Sequence, residues 1–221
     1  MNTEWILTLE TSVTHATLVL ARGREIFDQR AFSSERSQEC DLFAPLKSIL
    51  AGLPEAQRLS RIIVGTGPGS YNGARVGIAT AQAIAQTHGC RVAGLCSFEG
   101  VPGVSENETL WAVGDARRGS YFLMPVIEGR AQIPPLLLEE NDFLARLGEC
   151  EGPKVTFESP TRLPEGVDCT ETHSTAEGLL KSWLARSPEE QEILLNTPTE
   201  AFYLRPPHIT KSKKSPRSHP F

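Results

Sequence analysis

The chain has 221 residues, 39% of them hydrophobic and 22% charged, and its 22 Lys and Arg against 27 Asp and Glu give a formal net charge of −5. That balance excludes a wholly disordered or fibrous chain and suits one soluble globular domain or two small ones. No run approaches the ~18 consecutive apolar residues of a membrane span, and Met1-Asn2-Thr3-Glu4-Trp5 lacks the basic region and long apolar core of a secretory signal.

Trp5 to Leu9 is a short apolar strand followed by Glu10-Thr11-Ser12. His15 to Leu20 alternates, with Ala16, Leu18 and Leu20 on one face, and after the turn at Gly23 a third strand runs from Glu25 to Phe32. Strands joined by such short turns predict an antiparallel meander. From about Glu39 onward Leu42, Leu46, Ile49, Leu50 and Leu53 recur at helical spacing, and Gly52 and Pro54 end that helix. Arg61 to Val64 is a short buried strand, a second helix runs from about Gly73 to His88 with Gly89 as its C-terminal cap, and Arg91 to Leu95 is a further strand. The first hundred residues thus read β-β-β-α-β-α-β.

Gly100 to Gly103 is the expected boundary. Beyond it, Thr109 to Asp115 and Ser120 to Ile127 are strands flanking Arg117-Arg118-Gly119, and Glu128-Gly129 is a turn. Asn141 to Leu147 predicts a short helix, Val155 to Phe157 a short strand, and Ser174 to Ala185 a helix whose apolar positions are Ala176, Leu179, Leu180, Trp183 and Leu184. Pro198 to Leu204 leads into the tail, and no internal repeat occurs at solenoid spacing. The expected organisation is an N-terminal subdomain over 1–100, a smaller C-terminal α/β subdomain over 101–205, and a flexible basic tail over 206–221.

Charge and cysteines narrow the partners. Lys211, Lys213, Lys214 and Arg217 give the last eleven residues +4, which leaves −9 on residues 1–210. An acidic body argues against a duplex-binding surface on this chain alone. The Ser, Pro and Lys content of the tail reads as a solvated end, with a nucleic-acid backbone contact as the alternative. The five cysteines are odd in number and none are spaced C-x-x-C, which argues against a disulfide framework or structural zinc and for a reducing cytosol.

Gly65-Thr66-Gly67-Pro68-Gly69-Ser70-Tyr71-Asn72-Gly73 follows a strand and opens a helix, the setting that favours phosphate binding. It misses the P-loop, because Ala74-Arg75 stand where Lys and Ser or Thr are required, and it misses the dinucleotide fingerprint by one residue of spacing. On spacing alone, a loop that needs tight backbone turns is the better account of the glycines, with nucleotide binding as the alternative. Arg75 lies in the first helical turn, where the dipole disfavours a cation, so an internal ion pair is expected to compensate. Gly73, Gly77, Ala81 and Ala85 line one helix face at i, i+4 spacing. Helical glycine costs about 1 kcal/mol relative to alanine, so Gly77 needs a close neighbour, either a helix of the same chain or a second chain. Catalytic patterns are scarce: there is no His pair at i, i+4, no G-x-S-x-G elbow, and nothing that couples Cys40 to a distant histidine. Asp115-Ala116-Arg117-Arg118 could bind an anion or a partner, or form a solvated hairpin.

Leu9-Glu10-Thr11-Ser12, the run Gly67-Pro68-Gly69-Ser70-Tyr71-Asn72-Gly73-Ala74-Arg75-Val76-Gly77, Asp115-Ala116-Arg117-Arg118-Gly119 and Phe202-Tyr203-Leu204-Arg205 together resemble the bacterial dimerisation subunit of the tRNA threonylcarbamoyladenosine machinery, the TsaB or YeaZ family. The resemblance covers nearly the whole chain except the tail. It implies an α/β, actin-like ATPase fold of the sugar-kinase and Hsp70 superfamily in two small subdomains. It also implies a non-catalytic scaffold with no catalytic residue and no metal. Its partners would be a longer catalytic paralogue (TsaD-type) and a small ATPase (TsaE-type), with tRNA reached through the complex, a cytoplasmic location, and a homodimer when the chain is alone. The interface would be a helix seam of Leu42, Phe43, Leu46, Gly73, Arg75, Gly77, Ala81 and Ala85. Thr11, Ser12, Gly67, Gly69 and Ser70 would be the anion or nucleotide contacts, with no tightly bound cofactor and ATP or ADP at the subunit junction. Two departures stand out: Glu10 replaces the Asp that faces phosphates and metal in catalytic relatives, and Arg36-Ser37-Gln38-Glu39 replaces a stretch that often carries histidine. The competing reading is a nucleotide-binding ATPase or kinase of the same fold acting on its own; a peptidase is a third.

Overall fold

The computed structural model describes residues 4–33, 38–104 and 109–205, with the side chains of residues 38–41 excepted. The expected tail and the Arg36–Glu39 departure lie wholly or partly outside these.

The N-terminal meander forms as expected: β1 (Trp5–Glu10), β2 (His15–Arg22) and β3 (Glu25–Ser33) pair antiparallel. The chain then runs through α1 (Gln38–Leu50), β4 (Leu59–Gly65), α2 (Tyr71–His88) and β5 (Arg91–Leu95). β4 and β5 add in parallel, giving the order β3-β2-β1-β4-β5. The helical crossovers put α1 and α2 on one face. This is the β-β-β-α-β-α-β unit expected of an actin-like fold. β1 reads as continuously apolar because both sheet faces are covered: Trp5, Leu7 and Leu9 meet Leu42, Leu46, Ile49 and Ile78, whereas Ile6 faces the opposite side.

A second sheet follows, made of β6 (Thr109–Asp115), β7 (Ser120–Ile127), β8 (Arg130–Ala131), β9 (Leu136–Glu139), β10 (Lys154–Thr156) and β11 (Thr170–Glu171), in the order β11-β10-β6-β7-β8 with β9 also on β7. Here α3 (Glu140–Gly148) covers one face through Phe143 and Leu147, and Phe98, Val101 and Val104 cover the other. The expected division after residue 100 is crossed by the C-terminal helices. α4 (Ala176–Leu184) and α5 (Pro188–Asn196) return to the first sheet, where Leu179, Leu180 and Trp183 pack on Ile6, Val19 and Ile63. α5 was not expected from apolar periodicity. Its signal was Ser187-Pro188-Glu189-Glu190, a capping box with proline in the first turn.

Candidate functional site

The site begins where β1 ends. The Glu10 side chain is fully buried and folds back, its Oε1 accepting from Ser12 N at 2.8 Å and from Ser12 Oγ at 2.7 Å. Ser12 Oγ lies 2.8 Å from Ser97 Oγ, which accepts from Gly67 N at 3.0 Å. Glu10 Oε2 has no hydrogen-bond partner and lies 2.2 Å from where a Cβ at Gly65 would stand, so only glycine there admits it. One carboxyl thus ties the first strand to the glycine loop.

The shape of the loop follows from the same strand end. A Cβ at Gly69 would stand 2.3 Å from Ser12 O, one at Gly73 2.0 Å from Thr11 O, and one at Gly77 2.1 Å from Thr11 Oγ1. Ser70 N donates to Ser12 O at 2.6 Å, and Ser70 Oγ caps α2 by accepting from Gly73 N at 3.2 Å. The glycines therefore let a helix start directly on the backbone of Thr11 and Ser12.

Three expectations are corrected by this packing. The stripe Gly73, Gly77, Ala81 and Ala85 is not a seam for another chain, because all four are buried against the sheet of their own chain. Leu42 and Leu46 are likewise in that core, so of the proposed seam only Phe43, 60% exposed, and Arg75 face outward. Thr11 is not an anion contact, because its buried hydroxyl donates to Gly73 O at 2.8 Å. Arg75 finds no carboxylate among the described residues; its guanidinium lies 5.2 Å over the Tyr71 ring instead, the aromatic face supplying the compensation expected from an ion pair.

Ser12, Gly67, Gly69 and Ser70 do come together, on one wall of a cleft of 540 Å³ between the two sheets. Opposite them stand Asp115, Arg117 and Arg118 from the β6–β7 turn, with Phe157, Glu158 and Arg162 beyond β10. Arg117 and Arg118 are both left-handed, at φ 66 and 60, followed by Gly119 at φ 70. Asp115 clamps this turn, accepting from Arg117 N at 2.6 Å and pairing with its guanidinium at 3.0 Å. The C-terminal segment closes the mouth: Gln82 Nε2 donates to Thr199 O at 3.2 Å, Phe202 N donates to Thr66 O at 2.9 Å, Tyr203 stacks on Tyr71 at 4.8 Å, and Arg205 lines the cleft. Arg162 was not singled out in the sequence, and the stacking of Tyr71 on Tyr203 could not be read from it, because the two rings lie far apart in the chain.

The Glu10 carboxyl is turned away from the cleft onto Ser12 and Gly65, so it is not placed to face a metal-bridged nucleotide there. The described residues contain no group of three His, Cys, Asp or Glu placed to hold a metal. Beside Ser97, burial pushes the Cys96 thiol well above its ordinary value, with Glu99 adding to the effect, an environment that disfavours the thiolate. No helix among the described residues is long and apolar enough to cross a membrane.

Comparison with known proteins places this geometry. Residues 51–158 match the family model described as TsaD: tRNA N6-adenosine threonylcarbamoyltransferase. The fold is similar to that of YeaZ from Pseudomonas aeruginosa, with a TM-score of 0.63 and 18% identity over 81% of this chain and 90% of that one. An uncharacterized protein similar to peptidase YEAZ, from the same organism, gives 0.64 with 18% identity, over 81% of this chain and 89% of that one. A stretch of 92 residues is 34% identical to an uncharacterized protein of Mycobacterium tuberculosis, covering 40% of this chain and 43% of that protein. A stretch of 79 residues is 39% identical to one of Mycobacterium leprae, covering 34% and 22%. The chain thus spans less than half the length of the curated relatives it matches.

Proposed function

We propose that this YeaZ-like chain is a non-catalytic scaffold of the assembly that transfers a threonylcarbamoyl group to N6 of the adenosine beside the tRNA anticodon. A TsaD-type paralogue would hold the chemistry and a TsaE-type ATPase would complete the complex, with tRNA reached through it. The observation that carries this reading is Glu10, at the position where catalytic relatives use a carboxylate, with its carboxyl group turned inward to brace the glycine loop. The match of residues 51–158 to the TsaD model supports the link to that modification.

The partner surface on this reading is the outer face of α1 and α2, with Phe43 and Arg75 exposed. ATP or ADP would sit at the junction it forms, and the same face would join two copies when the paralogue is absent. The deciding experiment assays tRNA modification by the paralogue with and without this chain, and the reading fails if the yield does not depend on it. Phe43→Glu is expected to abolish association in a pull-down while leaving the melting temperature unchanged, because that side chain is 60% exposed.

A second reading, a nucleotide-binding ATPase acting alone, is favoured by the cleft of 540 Å³ that opens at the start of α2. Calorimetry of the chain with ATP and magnesium separates the two, since tight binding with turnover would establish the second.

A further inference from the structure

We infer that His15 and His173 form a two-histidine site for a late first-row divalent cation such as zinc, and that the ion clips one sheet to the other. The two rings meet from opposite ends of the chain, with centroids 6.0 Å apart and planes at 69°. An imidazole nitrogen bound at about 2.1 Å sets its ring centroid about 3.2 Å from the ion, so two rings sharing one ion at the tetrahedral angle are about 5.2 Å apart. Opening that angle to about 140° accommodates the observed 6.0 Å with neither ring centre moved. Rotation about χ2, a soft torsion in histidine, then turns the nitrogens to the shared point.

The backbone under both rings is fixed. His15 opens β2, where it pairs with Ser33 of β3. His173 lies between β11 and α4, in a segment pinned on both sides. Before it, Thr172 N donates to Thr156 O of β10 at 2.8 Å. After it, Thr175 N donates to Gly100 O at 3.0 Å and Ala176 N donates to Thr17 Oγ1 of β2 at 2.7 Å. This is the stretch by which the chain leaves the second sheet and returns to the first. An ion shared by the two rings therefore joins β2 to that crossing, and little ordering of the chain is left to oppose binding.

The rings are also available. Both histidines are exposed, and neither ring has a hydrogen-bond partner among the described residues. His88 differs, because its Nδ1 already accepts from Leu59 N at 3.3 Å. Neither His15 nor His173 lines the cleft. No third His, Cys, Asp or Glu joins them to complete a cluster among the described residues, so water fills the remaining positions of the ion. Imidazole selects zinc, copper or nickel over magnesium or calcium, which take oxygen ligands. The inference does not rest on the scaffold reading, since it concerns neither the paralogue nor the outer face of α1 and α2.

The test is calorimetry of the full-length chain with zinc chloride, in a His208→Gln, His219→Gln background that removes two other histidines from competition. One ion per chain is expected, with no binding of magnesium at the same concentration. His15→Gln and His173→Gln are each expected to weaken zinc binding at least about tenfold, because a second ligand held in place acts at high effective concentration. The double variant is expected to bind no more weakly than either single one, since losing one ring already breaks the chelate. Without zinc all three variants should melt with the parent, because both side chains are exposed. With free zinc a hundredfold above its Kd, the folding equilibrium of the parent should move about a hundredfold towards the folded chain, a shift that each variant loses. The inference is overturned if zinc does not bind, if it binds undiminished in either single variant, or if it binds without raising the melting temperature.

Discussion

At Gly77 the space for a side chain is already taken. A Cβ would lie 2.1 Å from Thr11 Oγ1, and that hydroxyl is held by Gly73 O, so neither atom yields easily. Gly77→Ala is therefore expected to destabilise by about 1–3 kcal/mol through overpacking, against an intrinsic helical gain of about 1 kcal/mol. Urea denaturation measures the difference. Adding Thr11→Ala removes the obstructing oxygen and should recover part of the loss, a coupling that a double-mutant cycle reads directly. If Gly77→Ala stabilises the chain, the close approach of α2 to β1 is wrong. Gly65 and Glu10 form the same kind of pair, a missing side chain on one strand making room for a buried carboxyl on the next. At both places the glycine is explained by the residue it faces, and phosphate binding is not needed to account for it.

At the scale of elements, one buried ion pair fastens α4 to the linker between the sheets. Arg186 lies 2.5 Å from Glu99, both almost fully buried, and Glu99 also accepts from Ser182 Oγ at 2.8 Å and from Ala131 N at 3.2 Å. Removing one partner leaves the other buried and unpaired, so Arg186→Ala is expected to cost about 3–5 kcal/mol. The combined Glu99→Gln, Arg186→Met change should cost much less, and equal losses in equilibrium unfolding would refute the pairing. The end of α2 carries a pH dependence. His88 Nδ1 accepts from Leu59 N at 3.3 Å, and desolvation, followed by nearby Arg58, holds the imidazole below its ordinary value of 6.5. The unfolded chain therefore takes up the proton first. Stability is full above the ordinary value and declines as pH falls from there through the lowered one. Denaturation at about pH 7.5 and about pH 5.5 should show the loss, and His88→Gln should flatten it.

For the whole molecule, the last described residues matter more than their position suggests. After α5 the chain recrosses the first sheet, bonds to Thr66, stacks Tyr203 on Tyr71 and delivers Arg205 to the cleft. The cleft is thus built from both ends of the chain and from the second sheet. The sequence by itself determined the elements of the first hundred residues, because apolar periodicity, caps and turn glycines are local signals that need no partner. It also marked the glycine loop and the Asp115–Arg118 turn as places of interest. It did not determine what the small-residue stripe of α2 touches: periodicity encodes a face and not its occupant, and a strand of the same chain fits that stripe as well as a second protein. The tertiary structure alone decided this, together with the convergence of Arg118, Arg162 and Arg205. Side chains so far apart in the chain meet only through the order in which strands join a sheet and the side to which each crossover returns.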